Sequence, residues 1–386
     1  MRHGAPIIPS VVVVAVASVS ATLQTIVPLV RSPAAHWAVL AAGAAHTCGL
    51  QTDGTAYCWG SNQSGQLGDG STTNHARPVA VAGGLMFASI TAGTDHTCAL
   101  TKVGAAYCWG GNSSGQIGDG SMATRTVPVA VARGIAFASL QTGSSQTCGV
   151  SRRGRTYCWG DNTYGQAGDG STTPRLTPVL VATDITFTDV APGSAQVCGL
   201  NAVGKAFCWG INRDGQVGDG TDTTRLTPTA VVGGLTFVSI VAGHFACGLT
   251  RAGQAWCWGW QQWNHWRGQS GGEEPTNTTP ALVAAVMSFT SLTTGGAHAC
   301  GLTSAGSAYC WGYNNSGQLG DGSTINHATP LAVAGGLVFT SLSARGAHTC
   351  GLTDAGTALC WGRNGDGELG DGSTINRTAP VVVAAP

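Results

Sequence analysis

The chain has 386 residues, 9% of them charged, 43% apolar, with a formal net charge of zero. That balance excludes a disordered chain, and 59 glycines without a three-residue period exclude a collagen-like one. No run of Lys or Arg is present to release counterions from phosphates, which speaks against nucleic acid as a partner.

The first element is apolar. Arg2 and His3 precede a stretch from Ile7 to about Ala21, and Val19-Ser20-Ala21 offers small residues at a cleavage position. Residues 1–21 therefore read as a secretory signal-peptide-like segment, with residues 22–386 as the folded part. An uncleaved anchor or an ordinary segment are the alternatives. No second stretch is long enough to span a bilayer, so the mature chain is expected to carry no membrane span.

From about residue 37 onward the sequence repeats. Cys58-Trp59-Gly60 returns at Cys108, Cys158, Cys208, Cys257, Cys310 and Cys360, seven copies in all, most of them 50 residues apart. In the second copy an apolar run, Phe87 to Ala92, leads to Gly93, then His96-Thr97-Cys98-Ala99-Leu100 and Ala106-Tyr107-Cys108-Trp109-Gly110. A polar loop from Asn112 to Gly120 follows, and Pro128-Val129-Ala130-Val131 closes the copy. Four short apolar, β-branched runs per copy, separated by Gly, Asn, Asp and Pro, predict strands and turns. Seven such units predict an all-β protein, a seven-bladed β-propeller with four-stranded antiparallel blades of about 50 residues.

The strings HTCGL, AYCWG and SNQSGQLGDG resemble the regulator-of-chromosome-condensation repeat, and the resemblance covers nearly the whole chain after its N-terminal segment. It implies the same seven-bladed fold. Function follows less directly, because this repeat serves unrelated roles. A nuclear guanine-nucleotide exchange factor that docks on chromatin is the role behind the family's name. A secreted β-lactamase inhibitor protein has similar repeats and binds protein outside the cell. The plant ultraviolet-B photoreceptor carries a repeated Gly-Trp-Arg-His-Thr; here the strings Gly43-Ala44-Ala45-His46-Thr47 and Gly93-Thr94-Asp95-His96-Thr97 lack its Trp and Arg.

Every copy has two cysteines ten residues apart: Cys48 and Cys58, Cys98 and Cys108, Cys148 and Cys158, Cys198 and Cys208, Cys247 and Cys257, Cys300 and Cys310, Cys350 and Cys360. A Gly six places after the first, such as Gly54, suits the third position of a three-residue hairpin loop. With Thr52-Asp53-Gly54 as that loop, Cys48 faces Cys58, at the near edge of disulfide range. Seven within-copy disulfides are the leading expectation, and with them a secreted, periplasmic or cell-surface location. Buried free thiols and zinc are the alternatives, although zinc would need two more donors per site.

No catalytic constellation, cofactor or metal site emerges. The repeated Asp69, Asp119, Asp169, Asp219, Asp321 and Asp371 sit in Gly-Asp-Gly turns and suit turn conformation. Only Asn364, Asp366 and Glu368 approach the ligand spacing of a calcium loop. His46, His96, His298 and His348 share one position with Gln146 and Gln196, an exchange that keeps hydrogen bonding and loses proton transfer.

The fifth copy departs from the plan. It is one residue short at His244-Phe245-Ala246, and Trp258 to Arg267 replaces the polar loop. Five of the twelve tryptophans lie between 256 and 266. Connections between strands one and two and between strands three and four emerge on the same face of an antiparallel blade. Trp260, Trp263, His265, Trp266, Arg267, His244 and Phe245 are therefore the candidate binding residues; drift in a tolerant loop is the alternative. The expectation is a monomeric, non-enzymatic binding scaffold for a protein or glycan partner, with exchange-factor activity as the alternative. For ring closure, the short turn Ala82-Gly83-Gly84 suggests that strand four of one copy shares a blade with strand one of the next. Trp37–Ala41 would then pair with Pro380–Val383, in preference to Pro28–Arg31.

Overall fold

The computed structural model describes residues 1, 36–259, 277–284 and 286–386. Twenty-eight strands among the described residues form seven four-stranded antiparallel sheets, each ordered one to four along the chain. In the first blade the strands are Trp37–Ala42, His46–Gln51, Ala56–Gly60 and His75–Ala80. The hairpin between the second and third is the three-residue loop that the Gly spacing predicts. Gln51 N–H donates to Thr55 O at 2.9 Å, and Gly54 has φ +94°. A Cβ on Gly54 would also stand 2.7 Å from the carbonyl oxygen of Phe87, so neither the turn nor the next blade tolerates a side chain there.

That turn sets the register. Cys48 lies directly opposite Cys58, and every other copy repeats the pairing. All seven pairs are disulfides, with Cα atoms 4.0 or 4.1 Å apart, and no cysteine is free.

The core lies between blades rather than within them. Cys48 and Cys58 of the first blade pack with Phe87, Ile90, Ala92 and Trp109 of the second. The third-strand tryptophan is buried in all seven blades. Burial would strand its indole N–H, so the ring needs an acceptor. It finds one in the preceding blade: Trp109 Nε1 donates to Gln66 O, Trp159 to Gln116 O and Trp361 to Gln318 O, each at 3.0 Å. The polar loop of one blade is thereby stapled beneath the next.

Closure of the ring differs from the clasp expected above. Pro380–Val382 stays in its own copy's blade, with Val381 opposite Cys360 and Val382 opposite Leu359. Among the described residues Trp37–Ala42 pairs only with its own second strand. Pro28–Arg31 lies outside the described residues. The physical reason is that Ala82–Gly84 is no hairpin. The chain there crosses from the outer edge of one blade to the inner edge of the next, held by Ala82 N to Gly68 O, Phe87 N to Gly54 O and Ala88 N to Leu100 O. The last blade meets the first as any two neighbours meet. Trp59 Nε1 donates to Glu368 O at 2.9 Å, Trp37 N–H donates to Gly356 O at 3.0 Å, and Trp37 and Trp59 pack on Cys350, Cys360, Leu369 and Val383.

A second staple uses histidine. Thr97 donates its hydroxyl hydrogen to Gln66 O at 2.8 Å, so its oxygen must accept from His46 Nε2, 2.9 Å away. His46 is thus the Nε2–H tautomer, and its Nδ1 is buried without a partner, pressed against Gly43. His96, His298 and His348 repeat the contact to Thr147, Thr349 and Thr47. Gln146 and Gln196 replace it by donating to Gly193 O and Gly243 O of the following blade, which is why the two residue types exchange.

Protonating such a histidine would put a second N–H where no acceptor stands. Burial accordingly lowers each of the four from 6.5 to about 3. A folded value below the unfolded one means that the unfolded chain binds more protons. This stabilisation is complete above about pH 6.5 and declines as the pH falls toward 3. Urea midpoints measured across that window are expected to fall with acid, and a His46→Gln, His96→Gln, His298→Gln, His348→Gln variant to flatten the decline. Equal slopes would contradict the assignment.

Candidate functional site

The turns between first and second strands ring one mouth of the central channel, and the long loops between third and fourth strands begin beside them, as where Ser61 N–H bonds Ala45 O at 2.8 Å. The turns are joined blade to blade: Ala44 N–H donates to Gly93 O, Ser144 to Gly193 O, Ser194 to Gly243 O and Gly296 to Gly346 O. Below this ring the first strands of the blades line a channel of about 290 Å³.

Each long loop is tied down from within. Asn62 accepts from Leu67 N–H and donates to Asp69 and to Ser71 O. Asp119 accepts from Ser121 and is paired with Arg125 at 2.6 Å; Asp169, Asp219 and Asp371 pair with Arg175, Arg225 and Arg377. Burial alone would raise these carboxyls, but the Ser or Thr donors and the guanidinium outweigh it and hold them below the usual carboxylate range. The calcium-like spacing at Asn364, Asp366 and Glu368 has its donors engaged. Asp366 pairs with Arg363 at 2.7 Å, and Glu368, fully buried, lies 3.0 Å from Arg363 Nη1 and accepts from Asp366 N–H. Among the described residues no group of His, Cys, Asp or Glu is gathered to hold a metal.

The candidate binding residues divide. Trp260, Trp263, His265, Trp266 and Arg267 lie outside the described residues. His244 is exposed at the channel mouth. Phe245 is a correction: it takes the register position of His46, opposite Gly259, and is buried with Cys247, Phe289 and Trp311. The one-residue deletion moves a phenyl ring into the slot that a His or Gln occupies elsewhere, so Phe245 cannot serve a partner. Two of the five clustered tryptophans are also scaffold. Trp258 is the core ring equivalent to Trp59, bonded to Gln216 O, and Trp256 stands in the half-buried position of Tyr57.

One residue escaped the sequence reading. The first turns carry Gly43, Gly93, Gly143, Gly193, Gly243 and Gly295 at one position, but the seventh copy carries Arg345. Its guanidinium reaches across the channel, where Nη1 donates to Thr142 O at 2.8 Å. Aligning the seven copies on the histidine position would have exposed it.

A closed ring of seven four-stranded blades, each cross-linked by a disulfide and stapled to its neighbours through Trp and His, defines a β-propeller scaffold of repeated sequence. Patterns of the regulator of chromosome condensation (RCC1) repeat match residues 53–100, 153–200, 203–249 and 305–352, and a second pattern of the same repeat matches 38–66, 87–116, 137–166, 289–318 and 339–368. Together these span more than half of the sequence, and the chain belongs to the RCC1-repeat family. No curated protein matches it. Solved structures are similar in fold. Human WBSCR16 is 20% identical with a TM-score of 0.77, covering 86% of this chain and 94% of that one. Prp20p from Saccharomyces cerevisiae, described with its binding to Gsp1p and histones, is 21% identical with a TM-score of 0.76 and 87% coverage of both chains. The CRINKLY WD40 ectodomain of the Arabidopsis thaliana receptor kinase ACR4 is 21% identical with a TM-score of 0.53, covering 84% of this chain and 95% of that one.

Proposed function

We propose that this protein is an exported binding scaffold that engages a protein or glycan partner through its loop face. The observation that carries this reading is where the repeat is broken. The shortened turn at Gly243-His244-Phe245 and strand Ala255–Gly259, which the Trp-rich sequence follows directly, belong to one blade, with Phe245 and Gly259 paired opposite each other next to the turn at the channel mouth. Trp and Arg are favoured anchors at interfaces. Export is supported by the disulfide in every blade, a pattern of oxidising compartments, and by the apolar segment of residues 1–21 that reads as a signal peptide. No helix among the described residues is long and apolar enough to cross a membrane. An ectodomain among the structural neighbours fits the same compartment. Exchange-factor activity, by likeness to Prp20p, rests on fold alone and has no residue to recommend it.

Replacing Trp260, Trp263 and Trp266 by Ala is expected to weaken capture of the partner that co-purifies with the exported protein by at least tenfold, about 1.4 kcal/mol, with an unchanged melting temperature. Unchanged capture, or loss of the fold, would assign those rings to packing.

A further inference from the structure

Arg345 has no ion-pair partner among the described residues. It replaces the glycine of the other six copies, at a place where side chains are excluded for a physical reason. A Cβ on Gly93 would meet Gly143 O at 2.8 Å, and one on Gly143 would meet Gly193 O at 2.7 Å. The seventh turn makes room by placing glycine one residue later. Gly346 takes φ +53°, and Arg345 remains in the strand, opposite His348. The chain therefore alters its turn in order to seat this guanidinium in the channel.

Once there, it is half-buried and bonded to Thr142 O of the third blade. A guanidinium carries five N–H donors, and among the described residues Nη1 to Thr142 O is the protein bond it makes. Among the described residues no carboxylate lies within ion-pair distance of it. Asp189 lines the same channel but is not its partner. Partial desolvation in the channel lowers the Arg345 pKa from 12.5 to about 10, which still leaves it charged at neutral pH and favours an anion beside it. Above the guanidinium, at the mouth, is a cavity of about 60 Å³ bordered by Thr94, Ser144, Ser194, Thr294 and His244. Hydroxyl-bearing residues and a guanidinium lining a small cavity supply the donor types of an oxyanion site.

We propose that the channel mouth is a carboxylate-binding site in which Arg345 receives an acidic group of the partner. The charge count selects carboxylate over phosphate. Desolvation in the crowded turn, and then Arg345, hold His244 below its ordinary value although part of its surface is exposed, so at neutral pH Arg345 is the one charged side chain among the described residues lining this cavity. One positive charge matches one carboxylate, whereas a doubly charged phosphate would leave an excess negative charge in a narrow cavity. The planar fork of Arg also fits two carboxylate oxygens at once. This inference rests on the binding-scaffold reading only for the source of the acidic group; the site itself stands on Arg345.

The test uses the intact, oxidised protein labelled with ¹⁵N. The Arg345 Nε–H resonance is followed during titration with acetate, inorganic phosphate, a capped single-Asp peptide and glucuronate. Acetate is expected to shift that resonance saturably. Arg345→Gln is expected to weaken acetate binding, read from the surrounding backbone amides, at least tenfold, and Arg345→Lys to recover part of it. The peptide binding tighter than glucuronate would mark a protein source, and the reverse a glycan, either outcome supporting the site. An Arg345 resonance indifferent to acetate in the unmodified protein, equal acetate affinity in Arg345→Gln, or tighter binding of phosphate than of acetate would overturn it. The wild-type arm decides even if Arg345→Gln fails to fold. Because no partner is present, a failure here is distinct from a failure of the tryptophan variants.

Discussion

Reduction of the seven disulfides is expected to unfold the propeller under conditions in which the oxidised protein is fully native. Each bridge closes a hairpin of sequence separation 10, and by the chain-entropy model a loop of that length contributes roughly 2–3 kcal/mol. Seven such contributions rival or exceed a whole domain's net stability of about 5–15 kcal/mol, even if they add incompletely. The sulfur atoms are also core. Cys48 and Cys58 pack on the next blade's first strand, so reduction loosens every blade interface at once. Urea unfolding with and without reductant measures the effect, and Cys48→Ala with Cys58→Ala isolates one bridge at roughly 2–3 kcal/mol. A midpoint that reductant does not move would show that packing alone holds the ring.

Removing the indole at the closing junction is expected to have the largest effect of any single substitution there. Trp59 is fully buried, packs against Trp37 at 5.5 Å between centroids with the rings tilted by 55°, and donates to Glu368 O. Its loss leaves a cavity between the two ends of the chain and removes one of the two hydrogen bonds that Glu368 O accepts, the other coming from the Thr47 hydroxyl. Trp59→Ala is expected to cost about 3–5 kcal/mol, close to Trp209→Ala at an ordinary junction, because among the described residues the ends meet through the same contacts as any two blades. Deleting residues 384–386, beyond the buried Val383, is expected to cost little. Deleting 379–386 removes the strand residues opposite Leu359 and Cys360 together with Val383, and is expected to be severe. A cost below about 1 kcal/mol for Trp59→Ala would show that something other than this packing closes the ring.

Much of this was legible in the residues. The ten-residue Cys spacing and the Gly after it encode a hairpin whose register follows from counting, and the structure places Cys48 opposite Cys58 as counted. The exchange of His46 with Gln146 pointed to a hydrogen-bonding role, though not to its acceptor, because Thr97 belongs to the next blade and local patterns do not report contacts 51 residues away. Closure was misread for a related reason. Ala82-Gly83-Gly84 has the composition of a hairpin turn, but a turn and a blade-to-blade crossing use the same residues, and only the partners of Phe87 and Ala88 distinguish them. Phe245 was read as an exposed anchor because its copy is short by one residue; the deletion instead moved it into the buried His position. Arg345 was overlooked because a lone Arg in a chain with 18 Lys and Arg stands out only when the copies are superimposed.

The exported, disulfide-stapled scaffold is tested most directly by intact mass of the natively produced protein, with and without reductant, followed by peptide mapping. The expected result is a chain recovered outside the cytoplasm that lacks the segment ending near Ala21. Its mass rises on reduction by the hydrogens of all 14 cysteines, and each mapped hairpin is linked only to itself. A full-length chain kept inside the cell with free thiols, or bridges running between copies, would contradict it.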